Sequence, residues 1–117
     1  MSSIPDDDTG AAIKRWEVEG SDLTKPMTID FFVAVSSKDV GTNFSQQNEL
    51  RDFKTDVEYD NESGTWTCYC SKTMIPDYKE IVEIERMLSS VASRVGGCFL
   101  DGFASYGNKS KLNSKIH

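Results

Sequence analysis

Three acidic side chains occupy alternate positions of one segment of the chain: Asp56, Glu58 and Asp60. In an extended strand, alternate side chains point to the same side and lie about 6.7 Å apart. Such a row of carboxylates imitates the phosphates of a nucleic acid and could capture a protein that grips phosphates with lysine and arginine. The alternative is a solvated edge strand whose charges discourage aggregation.

A second group of residues suited to protein contact lies near the C-terminal end. Asp101, Phe103 and Tyr106 follow one another within six positions, and aromatic side chains carry much of the binding energy at protein interfaces. Our hypothesis is a partner-binding surface composed of Asp56, Glu58, Asp60, Asp101, Phe103 and Tyr106.

The residue types that support catalysis are scarce. The single histidine is His117, and the chain has neither a Walker loop nor a dinucleotide-binding fingerprint. Asp30 and Asp101 could approach one another as a general acid and base, although solvated or hydrogen-bonded carboxylates are the ordinary case. We therefore expect a protein that is not an enzyme, with no catalytic residue and no cofactor.

The three cysteines could supply soft metal ligands if Cys98 joined Cys68 and Cys70. Structural zinc sites favour a wider spacing within each cysteine pair and use four ligands. Core packing beside Trp66 is the preferred interpretation, so we expect no metal site. The odd cysteine count and the lack of a secretory pattern at the N-terminus indicate reduced thiols in the cytoplasm and no disulfide.

The charge distribution indicates a protein partner of basic character. The net charge is −6, and all 19 acidic residues lie at or before Asp101, where only ten basic residues oppose them. A body this acidic repels phosphates, so we expect no direct contact with nucleic acid. Aromatic residues on the predicted strands, such as Phe32 and Tyr69, could otherwise indicate an RNA-binding sheet. No apolar run is long enough to span a membrane.

Hydrophobic periodicity predicts the order β-α-β-β-α-β, with a short additional helix at the N-terminus. The N-terminal helix covers Ala11–Glu19. The predicted strands are Met27–Val35, Phe53–Asp60, Thr65–Ser71 and Cys98–Tyr106, and the predicted helices are Ser37–Leu50 and Pro76–Val95.

This order predicts an α+β fold, a ferredoxin-like α/β sandwich with two helices on one face of an antiparallel sheet. Residues 20–106 form the predicted domain. We expect residues 1–19 to be a mobile segment that contains the short helix, and residues 107–117 to be a flexible tail.

Four segments, in order, resemble the family of regulators of ribonuclease E activity B, named for a bacterial inhibitor of that enzyme. They are Gly20–Pro26, Ile29–Phe32, Ser71–Asp77, and Gly96-Gly97 followed by Asp101-Gly-Phe103 and Tyr106. The last strand of the family usually carries Asp-Gly-Trp, whereas this chain has Phe103 at the third position.

The resemblance implies a ferredoxin-like α/β sandwich that modulates its partner by protein contact and has no known cofactor. The implied partner is a ribonuclease or another component of RNA degradation, and ribonuclease E itself is not implied. Two alternatives stay open: a small-ligand or weakly catalytic domain that uses Asp30 and Asp101, and an immunity-like protein that neutralises a toxin. Oligomeric state is left open.

Overall fold

The structure is a computed structural model that describes residues 7–108. Its elements follow the order α-β-α-β-β-α-β, with a short 3₁₀ turn at Asn48–Leu50 after the second helix. The helices are α1 Asp8–Val18, α2 Lys38–Ser45 and α3 Tyr78–Val95, and the strands are β1 Met27–Val35, β2 Lys54–Asp60, β3 Thr65–Met74 and β4 Cys98–Ser105.

The four strands form one sheet in the order β2-β3-β1-β4, and all neighbouring strands are antiparallel. β1 and β2 therefore run in the same direction with β3 between them, and α2 connects them across the sheet. The fold is α+β, as predicted, with three helices in the described chain where the sequence predicted two and a possible third.

The hydrophobic core lies between the helices and one face of the sheet. Every second residue of β1 is buried, from Met27 to Val35, which is the pattern of a strand with one covered face. The ring of Phe31 is fully buried and packs against Phe53 and Phe103. The largest other fully buried side chains are Phe44, Ile13, Ile29, Leu50, Ile81 and Leu88.

Side-chain caps begin all three helices. Asp7 accepts a hydrogen bond from the amide of Gly10, and Asp77 accepts one from the amide of Glu80. Ser37 accepts one from Val40 at the start of α2. These bonds satisfy amides that have no partner inside their own helix, and the two acidic caps also lie at the positive end of the helix dipole.

Three element boundaries differ from the predictions by three or more residues. α1 was predicted to begin at Ala11 but begins at Asp8, because the Asp7 side chain caps it. α2 was predicted to continue to Leu50 but ends at Ser45, since Gln47 adopts an extended backbone before the 3₁₀ turn. β3 was predicted to end at Ser71 but continues to Met74, since its last residues pair with the start of β1.

α1 packs against the rest of the fold. Ile13 and Trp16 are buried in the common core. Thr9 donates a hydrogen bond of 2.8 Å to Glu85 of α3.

The described chain extends to Asn108, whose side-chain amide donates to the carbonyl of Asp22. The rest of the predicted tail lies outside the described residues. Within residues 7–108, none of the helices is long and apolar enough to cross a membrane.

Gly41 allows α2 to lie close to the sheet. A Cβ atom at this position would come within 2.8 Å of Val57 Cγ1 and 3.1 Å of Val35 Cγ2. Both neighbours are β-branched valines with stiff side chains, so they yield little space.

We predict that Gly41→Ala lowers the free energy of unfolding by about 1 kcal/mol, measured by urea denaturation. Overpacking costs about 1–3 kcal/mol and outweighs a gain of about 1 kcal/mol in helix propensity. In a Val57→Ala background the same substitution should cost less, because the methyl group at 2.8 Å is gone while Val35 Cγ2 remains at 3.1 Å. A Gly41→Ala protein more stable than the parent would contradict this packing.

Candidate protein-binding surface

The sheet face opposite the helices, here called the open face, is not covered by any element of residues 7–108. Cross-strand register defines which side chains share it. Its residues are Lys54, Asp56, Glu58 and Asp60 of β2, Thr65, Thr67, Tyr69, Ser71 and Thr73 of β3, Thr28, Asp30, Phe32 and Ala34 of β1, and Phe99, Gly102 and Ala104 of β4.

The β2 side of the open face contains a depression of about 960 Å³ that is open to solvent. Hydroxyl groups of Thr28, Ser71 and Thr73 contribute to its lining, and Tyr69 lies within it. The charged lining residues are four acids and two lysines: Asp30, Asp52, Asp56, Glu58, Lys54 and Lys72. The depression is therefore net acidic and attracts cationic groups.

The carboxyl groups of Asp56 and Glu58, here called the Asp56/Glu58 pair, lean together at the exposed edge. The hydrogen-bonding contact with Asp56, and then its like charge, raise the pKa of Glu58 above the ordinary value of 4.5. Since the folded-state pKa is raised, the associated stabilisation is present at low pH and is lost as pH rises through the pKa of Glu58. At neutral pH the two negative charges of the pair repel each other, and a bound cation would reduce this repulsion.

Asp60, the third residue of the predicted carboxylate row, has a local structural role. Its carboxylate accepts hydrogen bonds of 3.0 Å from the Glu62 amide and from Ser63 Oγ. These bonds lower its pKa and hold the hairpin turn between β2 and β3. Asp60 therefore shares the open face with Asp56 and Glu58 at the end of β2, but its carboxylate is already engaged by the turn.

Aromatic residues lie beside the Asp56/Glu58 pair. Tyr69 is directly opposite Asp56 in the β2–β3 register and opposite Phe32 in the β1–β3 register. The centres of the Tyr69 and Phe32 rings are 5.5 Å apart, edge to face. One step along β1, Asp30 accepts a hydrogen bond from Ser71 Oγ. The sequence alone did not place Asp30, Phe32, Tyr69 and Ser71 on the same surface as the acidic row. Their alternate positions within β1 and β3 were the available signal that they share a face of the sheet.

Asp101 lies at the other edge of the sheet, in a bulge of β4. Phe32 pairs with Gly102 and Val33 pairs with Leu100, so Asp101 is the extra residue between them. It is exposed and lines a depression on the helix side together with Asp8 and Thr9. Asp30 lines the depression on the open face instead, and the structure does not bring these two carboxylates into one site.

The two predicted aromatic anchors have different environments. Tyr106 is 96% exposed. Phe103 is half-buried, and its ring contacts those of Trp16 and Phe31 at centroid distances of 5.9 and 5.6 Å. Phe103 is therefore held by the core, which the sequence pattern of β4 alone did not indicate.

The cysteines are packed as core residues. Cys68 and Cys70 are fully buried with sulfur atoms 4.0 Å apart, and the neighbouring thiol and burial raise the pKa of Cys70. Cys98 is only partly buried, and its thiol donates to the carbonyl of Ala92. Within the described part of the chain, no group of three histidine, cysteine or acidic residues is arranged to hold a metal ion.

We predict that Asp56→Asn lowers the pKa of Glu58 towards its ordinary value, because the substitution removes the carboxyl group that shares a hydrogen bond with Glu58, together with its like charge. The measurement is a pH titration followed by carboxyl ¹³C NMR. Asp60→Asn is the matched control and should leave the Glu58 titration nearly unchanged, since Asp60 is engaged in the turn. An unshifted Glu58 in Asp56→Asn would show that the two carboxyl groups do not interact.

Comparison with known proteins gives one match of broad coverage. The family model described as regulator of ribonuclease activity B matches residues 6–104, most of the chain. No curated protein matches. The matched range includes α1, all of the open face and the bulge of β4, and it ends just before the last residue of β4. The chain therefore belongs to the family of regulators of ribonuclease activity B.

Proposed function

We propose that this chain is a non-enzymatic regulator that modulates a ribonuclease, or another basic protein of RNA degradation, by direct contact. The observation that carries the proposal is the open face, where paired carboxylates lie beside aromatic rings with no covering element in the described chain. Membership in a family of ribonuclease regulators supports the class of partner.

Charge complementarity explains why the partner is basic. Ribonucleases hold the phosphates of RNA with lysine and arginine side chains, and these cations also suit the Asp56/Glu58 pair. Attraction between unlike charges accelerates association and weakens as salt is added. The same acidic field opposes direct binding of RNA, so the proposed contact is with protein alone.

The proposed contact surface centres on the Asp56/Glu58 pair. Asp60 extends it along the hairpin, while Asp101 and Tyr106 offer exposed groups at the opposite edge of the sheet. Phe103 is left out of the surface because its ring packs against Trp16 and Phe31. No observation favours the catalytic alternative, since Asp30 and Asp101 line separate depressions. A toxin-neutralising role would use the same acidic contact with a different basic target.

We further propose that the topology is ferredoxin-like, with α1 as an additional helix on the covered face. The strand order and the crossover between the parallel strands β1 and β2 support this classification. A cytoplasmic location is part of the proposal, since free thiols suit a reducing compartment.

We predict that the purified protein slows cleavage of a fluorescent RNA by ribonuclease E, and that Asp56→Asn with Glu58→Gln weakens the inhibition about tenfold at low salt. The measurement is the protein concentration that halves the cleavage rate. The control is Glu17→Gln with Glu83→Gln, which removes the same charge from exposed positions on α1 and α3. It should inhibit like the parent protein.

Two outcomes would contradict this prediction, the first its target and the second its contact surface. Unchanged cleavage at every concentration would reject ribonuclease E as the target. Equal loss of inhibition in both double variants would show that total charge, and not the open face, governs the contact.

A further inference from the structure

The open face has a centre and a rim of different chemistry. Phe32, Tyr69 and Ala34 are half-buried at the centre, and Phe99 is 62% exposed beside them. The rim on the β2 side is acidic: Asp56 is directly opposite Tyr69, and Glu58 lies one pair further along, opposite Thr67. An aromatic ring next to paired carboxylates binds a cation through both its π face and its charged neighbours.

We propose that the open face binds an arginine side chain of an extended basic segment of the partner protein, held between the Asp56/Glu58 pair and the Tyr69 ring. This inference rests on the proposed function and specifies the group of the partner that this surface recognises. Asp30 lies diagonally across from Tyr69 on the β1 side and adds a further carboxylate near the same ring.

Arginine fits the surface better than other cations do. A bare metal ion lacks ligands here, since the described residues contain no group of three suitable side chains. The planar guanidinium group can stack on Tyr69 while it donates two parallel hydrogen bonds to a carboxylate, whereas a lysine ammonium is a point charge with stronger hydration. Lys72, which lines the depression, also lies 5.4 Å from the centre of the Phe53 ring, so a contact between a cation and an aromatic ring already occurs in this chain.

The depression has room for more than one residue of an extended segment. At about 960 Å³ it exceeds what one side chain fills, and it is open to solvent along the sheet. Lys54 is opposite Ser71, and Lys72 follows Ser71 in β3. Both lysines therefore lie near the Ser71 end of the depression, where they repel further cations. Arginine is therefore expected to bind at Tyr69, with the flanking residues of the segment extended along the strands.

The test uses a synthetic probe, an acetylated and amidated peptide in which arginine alternates with serine. Binding is followed by amide chemical shifts of the full chain at low salt. We expect shifts centred on Asp56, Glu58 and Tyr69, and affinity about two- to fivefold higher than that of the same peptide with lysine. Shifts located elsewhere, or equal affinity for both peptides, would overturn the inference.

Variants of Tyr69 separate the ring from its hydroxyl group. Tyr69→Phe should keep the preference for arginine, and Tyr69→Leu should abolish it while both variants retain the dispersed spectrum of the folded protein. An unchanged preference in Tyr69→Leu would contradict a role for the ring.

The peptide experiment tests the arginine site, and the ribonuclease experiment tests the proposed target, so either proposal can be rejected without the other. If the arginine peptide binds as expected but cleavage by the ribonuclease is unaffected, the recognised group is right and the proposed target is wrong. If the ribonuclease is inhibited equally by the parent protein and by Tyr69→Leu, the regulatory function stands and the arginine site is wrong.

Discussion

The register between β1 and β3 is the constraint on which the rest of this structure depends. Phe31 is paired with Cys70 and Phe32 with Tyr69, so the first pair faces the helices and the second faces solvent. A shift of one residue would exchange the two sets and place Asp30 and Ser71 in the core. The buried rings around Phe31 prevent such a shift, because truncation of a buried phenylalanine costs about 3–5 kcal/mol. Core packing therefore also determines the chemistry of the open face.

Much of the fold could be predicted from local pattern. The alternation in β1, the turn before β3 and the apolar stripe of α3 each depend on residues close in sequence, and these elements are where they were expected. The end of α2 and the extension of β3 could not be found this way. Gln47 leaves the helix in favour of the turn that buries Leu50, and Met74 joins the sheet because Met27 is opposite it.

The candidate surface was predictable in composition and less so in geometry. Alternation indicated that Asp56 and Glu58 share a face, but their close approach depends on side-chain conformation, which the spacing does not determine. The burial of Phe103 requires Trp16 of α1, a contact between residues far apart in sequence. The alternation of residue types indicates which side chains share a face of the sheet. It does not indicate which of these side chains pack against, or hydrogen-bond to, residues distant in sequence.

The bulge at Asp101 has a consequence for how the sheet meets other chains. An extra residue in β4 interrupts the regular ladder at that edge, and the edge strand β2 carries acidic groups along its outer side. Neither edge is suited to pairing with an identical copy, because one is irregular and the other would oppose like charges. Both edges therefore discourage strand pairing with another sheet, while the broad open face stays available for contact.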